Sequence, residues 1–161
     1  MHPEDPLRAP AQAAGHGDQD AFATLVRATQ AEVWRFLAAL ADRSHADDLT
    51  QETYLRAYQA LPGFRGEASV RTWLLAIARR VAADHLRRLA RRPRSARPPV
   101  AEDWVAADQS GRSDLARLIA ALDTDRREAF ALTQLLGLSY AEAASVCGVP
   151  VGTIRSRVAR A

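Results

Sequence analysis

The final stretch, "LSYAEAASVCGVPVGTIRSRVARA" (Leu138–Ala161), limits the fold more than any other part of the sequence. Apolar residues recur at three-to-four spacing on both sides of Gly148-Val149-Pro150, so two short helices must meet at a tight turn. The first helix offers a small residue, Ala144, where a second can cross it closely. Four residues on, Gly148 can take the positive φ that a sharp reversal demands. Val149, Ile154 and Val158 point back toward a core, leaving Thr153, Arg155, Ser156, Arg157 and Arg160 available to the outside. That face has three arginines and no acid, a bias that a helical hairpin has no packing reason to acquire. Arginine donates in pairs to guanine edges, and both Arg and Ser hold phosphates, so the stretch reads as a DNA-binding helix-turn-helix.

Two helices this short need a larger body, and the preceding residues supply helical periodicity. Asp18 is a plausible N-cap for a helix to Ala41 carrying Phe22, Leu25, Val26, Thr29, Val33, Phe36, Leu37 and Leu40. Ser44 opens a second helix through about Leu61, with Asp47 and Asp48 in the first turn, where acids suit the helix dipole. "PGFRGEAS" (Pro62–Ser69) is a Gly-containing connector. A third helix spans about Val70 to Arg92, with Trp73, Leu74, Ile77, Val81 and Leu89 toward a core and arginines crowding its outer side. Leu115, Leu118, Ile119 and Leu122 mark another, and Asp123 or Thr124 caps the next, which Gly137 stops. Few aromatic residues and many alanines favour helix over sheet.

The expected architecture is therefore all-α: two small helical domains, residues 18–92 and 111–161, joined by a flexible Pro-containing linker. That linker, "PRSARPPVAEDWVAADQS" (residues 93–110), has three prolines and mixed charge. Its Trp104 docks either on a partner or on a neighbouring helix. Residues 1–17 have neither a charged start nor an apolar core, so they are no signal peptide and read as a disordered tail.

Charge is placed unevenly. Nine arginines between Arg71 and Arg97 meet one acid, Asp84; Glu102 to Glu128 carries seven acids against four arginines; residues 150–161 return to three arginines and no acid. Two basic patches separated by an acidic segment suit a polyanion touched at two places, although solvated helix faces would give the same pattern. The single Cys excludes an internal disulfide and suits a reducing cytosol. The four histidines are dispersed and no metal-ligand spacing, Walker-type glycine loop or HExxH occurs, so no metal, cofactor or enzymatic site is expected. Asp84-His85 is the one neighbouring acid–His pair, and adjacent helix positions point about 100° apart. No stretch is long and apolar enough for membrane insertion, and a cytoplasmic location is expected.

Three stretches together resemble the extracytoplasmic-function (group IV) sigma factors of the sigma-70 family, most nearly the actinobacterial sigma-C type. "ADDLTQETYLRAY" (Ala46–Tyr58) is similar to the family's core-polymerase-binding motif. "FRGEASVRTWLLAIARRVAADHLRR" (Phe64–Arg88) is similar to its promoter-opening and −10-reading segment, and Leu138–Ala161 to its −35-reading helix-turn-helix. The resemblance covers about Gly17 to Ala161. It implies that Asp47, Asp48, Leu49, Gln51, Glu52 and Arg56 dock on the clamp of the polymerase β′ subunit, while residue chemistry alone equally allows a solvated polar face. It implies that Phe64, Arg65, Ser69, Arg79, Arg80, Arg87 and Arg88 hold the melted −10 strand, and that Thr153, Arg155, Ser156, Arg157 and Arg160 read the −35 duplex.

Trp73, in the family's "TWL" signature, serves either the core or the DNA. The implied partners are RNA polymerase core, including the β flap, promoter DNA, and an anti-sigma factor; an alternative is a helix-turn-helix regulator that is not a polymerase subunit. Arg80 stands where many relatives carry Asn, which implies an altered −10 preference. The last helix is shorter than the family's usual one, which implies truncation or an unusually short tail.

Overall fold

Side-chain caps set most helix starts. A computed structural model of the chain describes residues 5–93 and 110–161. Asp18 accepts from the Ala21 amide at 3.0 Å and opens α2 (Gln19–Leu40). Asp42, rather than Ser44, opens α3 (Arg43–Ala60), accepting from the His45 amide at 3.0 Å. Its carboxylate outcompetes the Ser44 hydroxyl, which itself donates to Asp42. Ser69 caps α4 (Val70–Ala90), Asp123 caps α6 (Thr124–Phe130), and Ser139 with Glu142 forms a reciprocal capping box on α7 (Tyr140–Cys147). Between them lie a 3₁₀ turn at Leu61–Gly63, α5 (Ser110–Ala121) and a π-helical turn at Ala131–Leu135 that extends α6. The chain ends with α8 (Val151–Ala159). Gly148 closes α7 at φ 65°, the left-handed turn expected from the sequence.

The described residues are helical throughout, with no strand. In the first half α2, α3 and α4 pack around Val33, Phe36, Leu37, Leu74, Leu75 and Val81, all at most 1% exposed. Burying each of these large side chains contributes about 1.5–3 kcal/mol. Thr53, Ala57 and Leu61 face inward. In the second half Ala129, Leu132, Ala143, Ala144 and Ile154 form the interior beneath the helix-turn-helix. Leu115 and Leu118, read from the sequence as helix-face markers, are exposed, as is Leu135.

One feature differs from the sequence reading. The N-terminal residues are not a disordered tail: residues 8–15 form α1 (Arg8–Gly15), which docks on α2 and the 3₁₀ turn with Ala11 and Ala14 buried. A short alanine-rich helix has no large apolar side chain to mark its inner face, and its docking depends on small residues permitting close approach. The two helical halves expected from the sequence pack against each other. Helix α7 packs on α4, and the buried apolar residues of both halves form one cluster. The expected linker, apart from Pro93 and Ser110, lies outside the described residues, as do Trp104 and residues 1–4.

Candidate nucleic-acid interface

Helix α8 is delivered by the tight turn at Gly148 and anchored by Ile154, which is fully buried, while Val149 and Val158 are half-buried against the core. This anchoring turns Arg155, Ser156 and Arg160 outward, and all three are exposed. The Ser156 hydroxyl donates to the Thr153 carbonyl at 2.9 Å, and Thr153 is half-buried. Arg157 departs from the expectation. It turns toward α6 and donates to Asp125 at 2.8 Å, leaving its side chain 19% exposed, with one terminal nitrogen buried and unpartnered among the described residues. Its position between the buried Ile154 and the half-buried Val158 brings it within reach of α6.

Helix α4 presents a second basic face. Arg80, Arg87 and Arg88 are exposed. Arg87 pairs with Asp84, and Arg88 donates to the Asp84 carbonyl at 3.3 Å. Arg79 is committed elsewhere: it donates to Glu128 of α6 at 2.8 Å, across the two halves. Glu128 is 3% exposed, and burial raises its pKa even though Arg79 opposes the shift. Cys147 lies 4.0 Å from that carboxylate, and burial, reinforced by Glu128, pushes its thiol up to about 11. Such a thiol is a packing residue, not a nucleophile. In the connector, Arg65 is exposed and Phe64 is half-buried with its ring 5.0 Å from that of Trp73. Trp73 packs against the core from its half-buried position. Ser69 spends its hydroxyl on the cap, accepting from the Thr72 amide at 3.1 Å.

Helix α3 supplies the third predicted surface. Asp48 and Gln51 are exposed; Asp47 is exposed too, but accepts from the Trp34 indole at 2.7 Å. Leu49, expected among the docking residues, is 6% exposed and belongs to the core, because it lies one turn before the buried Thr53. Glu52 and Arg56 pair at 2.8 Å, and Arg56 reaches Asp84 of α4 at 2.8 Å. Donating to Asp84 and then to Glu52 raises the Arg56 pKa, while Arg56 and then Arg87 hold the Asp84 carboxyl below its ordinary value. Arg56 therefore ties α3 to α4.

Beside Gln51 lies an open apolar groove of about 430 Å³ lined by Phe22, Val26, Tyr54, Leu55 and Tyr58. Leu55 is 55% and Tyr58 43% exposed. These two residues were not singled out in the sequence. Their signal was a position on the Gln51 side of the helix, away from Thr53 and Ala57.

Asp84 and His85 engage different partners. Asp84 meets Arg56 and Arg87, whereas the His85 ring lies 4.5 Å from that of His45. Burial, and next the proximity of His45, lowers the His85 pKa. Among the described residues no three His, Cys, Asp or Glu side chains are grouped to hold a metal ion, and no helix is long and apolar enough to cross a membrane.

Comparison with known proteins decides what this pair of basic faces belongs to. Residues 25–92 match "Sigma-70 region 2" and residues 112–161 match "Sigma-70, region 4". The ECF RNA polymerase sigma factor SigC of Mycobacterium tuberculosis is 53% identical, over 98% of this chain and 88% of that protein. The chain belongs to the ECF sigma factors of the sigma-70 family.

The ECF RNA polymerase sigma-E factor of Escherichia coli is a more distant relative, 34% identical over 90% of this chain and 84% of its own length. Among solved structures, the sigma factor RpoE of Bartonella quintana, in complex with the anti-sigma factor NepR, superposes with a TM-score of 0.71 at 26% identity. The match covers 86% of this chain and 90% of that one. This sigma factor thus directs RNA polymerase to promoters, and its basic α4 and α8 lie within regions 2 and 4 respectively.

Proposed function

We propose a division of labour among the three surfaces. Asp48 and Gln51, with the adjoining Leu55 and Tyr58, form the docking surface for the β′ clamp of core polymerase. Carboxylates attract basic groups on the partner, and the apolar pair supplies the dry centre that a stable interface needs. Arg65, Arg80, Arg87 and Arg88, with the Phe64–Ser69 loop, hold the melted −10 strand by charge and stacking. Arg155, Ser156 and Arg160 enter the major groove of the −35 duplex, with the second half resting on the β flap. The observation that carries this reading is that exposed arginines stand on both halves of one chain: Arg80, Arg87 and Arg88 on α4, and Arg155 and Arg160 on α8.

Arg79 and Arg157 hold Glu128 and Asp125 in this arrangement. Arg79 reaches DNA only after the second half swings away from the first, and Arg157 only after it releases Asp125 of its own half. The chain acts as a binding subunit with no reaction of its own, in the cytoplasm beside the polymerase. By analogy with the Bartonella quintana protein, an anti-sigma factor is a further proposed partner.

The test is promoter binding with and without core polymerase. The chain with core should protect a promoter, while the chain alone should not. Equal, sequence-specific protection without core would overturn the subunit reading in favour of a free-standing regulator.

A further inference from the structure

The residues expected to form a loose tail contact the Leu61–Val70 connector at three points. At its start, Gly15 lies so close that a Cβ there would sit 2.9 Å from the Leu61 carbonyl oxygen. Near its middle, the Arg8 guanidinium covers Gly66, which is buried at φ +69°; a Cβ on Gly66 would lie 3.2 Å from that group. At its end, the Asp5 carboxylate accepts from the Val70 amide at 2.7 Å with one oxygen and from the Leu7 amide at 3.1 Å with the other. The Val70 amide is one of the first-turn donors of α4 that no helical carbonyl can satisfy. Ser69 caps the Thr72 amide, so Asp5 completes the start of α4 from a position 65 residues away in sequence. Ala11 and Ala14, buried on the inner side of α1, fix this segment to the body of the first half.

We infer that residues 5–17 are a brace for the −10-reading loop, with Asp5 and Arg8 as positioning residues for strand capture. The inference rests on the reading of Phe64–Ser69 as that loop. A captured single strand gains affinity only to the extent that its binding loop is already ordered, since ordering it on binding costs free energy. The brace holds the loop at both ends and at its one left-handed residue. It thereby leaves Phe64 and Arg65 as the groups that face the strand.

The experiment uses reconstituted holoenzyme and fluorescently labelled single-stranded oligonucleotides, selected by the wild-type holoenzyme from a randomised −10 library. Asp5→Ala should weaken binding about fivefold, the loss expected for one intramolecular hydrogen bond of ordinary strength. It should also flatten the preference among −10 bases, while affinity for core polymerase stays at the wild-type value. Asp5→Asn, which keeps an acceptor for the Val70 amide, should recover most of both properties. Arg8→Ala should act in the same direction with a smaller effect.

Wild-type affinity and base preference in Asp5→Ala would overturn the inference, as would a matching loss of core affinity. Phe64→Ala and Arg65→Ala serve as controls for the underlying reading. If they weaken strand binding and Asp5→Ala does not, the brace alone falls. If neither weakens it, the −10 assignment of the loop falls and the brace with it.

Discussion

The first half buries Phe36, Leu37, Leu74, Leu75 and Val81 on two long helices, whereas among the described residues the second has only Leu132 and Ile154 as comparably large, fully buried side chains. The second half makes up the difference by leaning on the first. Helix α7 packs on α4, Glu128 takes Arg79, and Arg127 donates to the carbonyls of Ile119, Ala120 and Leu122 while reaching Leu40 at the end of α2 at 3.2 Å. Arg127 therefore satisfies carbonyls at the C-terminal ends of helices in both halves at once. A half that carries duplex-reading helices can be small if its remaining apolar face is covered elsewhere. Here the cover is the same helix whose outer face carries the arginines proposed to hold the −10 strand.

The largest expected effect sharpens this contrast. Leu132→Ala should cost about 2–5 kcal/mol by leaving a cavity in the smaller core. Hydrogen exchange should show α6–α8 opening while α2–α4 keep their protection. Uniform loss of protection in both halves would show one cooperative unit instead. Next comes the surface of α8: Arg155→Ala should lower −35-dependent initiation about tenfold, as expected for loss of one bidentate base contact, with core binding unchanged. Equal loss of both would indicate misfolding. Asp48→Ala on α3 should weaken association with core by about threefold, in the range of an exposed charge pair, and leave −35 duplex binding unaltered in a core-independent assay.

The smallest effect concerns pH. Burial raises the Glu128 pKa above its ordinary 4.5, so the folded chain holds that proton at pH values where the unfolded chain has released it. The carboxyl's stabilising contribution is complete below 4.5 and is lost as pH rises through the folded value. Glu128→Gln removes this dependence. The difference in melting temperature between wild type and variant should therefore move against the wild type as pH rises through that window. A difference independent of pH would place Glu128 as fully ionised at its ordinary value.

Much of this was legible in the sequence, and for identifiable reasons. Asp18, Gly137 and Gly148 act locally, through a cap or a left-handed turn, and each behaves as its residue type predicts. The outward placement of Arg155 and Arg160 followed from the periodicity that buries Ile154. What escaped depended on partners far along the chain. Arg79 and Arg157 were read as DNA contacts because periodicity shows that a side chain leaves its own core, not that Glu128 or Asp125 waits beyond it. Leu49 was read with its polar neighbours, although it is one turn from the buried Thr53. Residues 8–15 lacked an apolar stripe, yet Gly15, Ala11 and Ala14 allow a backbone approach that no stripe would reveal.

The central claim is that each half reads its own promoter element. The direct measurement is run-off transcription with core polymerase on four templates: an active promoter, the same with its −10 element scrambled, with its −35 element scrambled, and with both. Wild type should need both elements. Arg155→Ala should lose its sensitivity to the −35 change alone, and Arg80→Ala should shift its response to the −10 change alone. Loss of sensitivity to the opposite element in either variant, or no initiation above core polymerase by itself, would contradict the account.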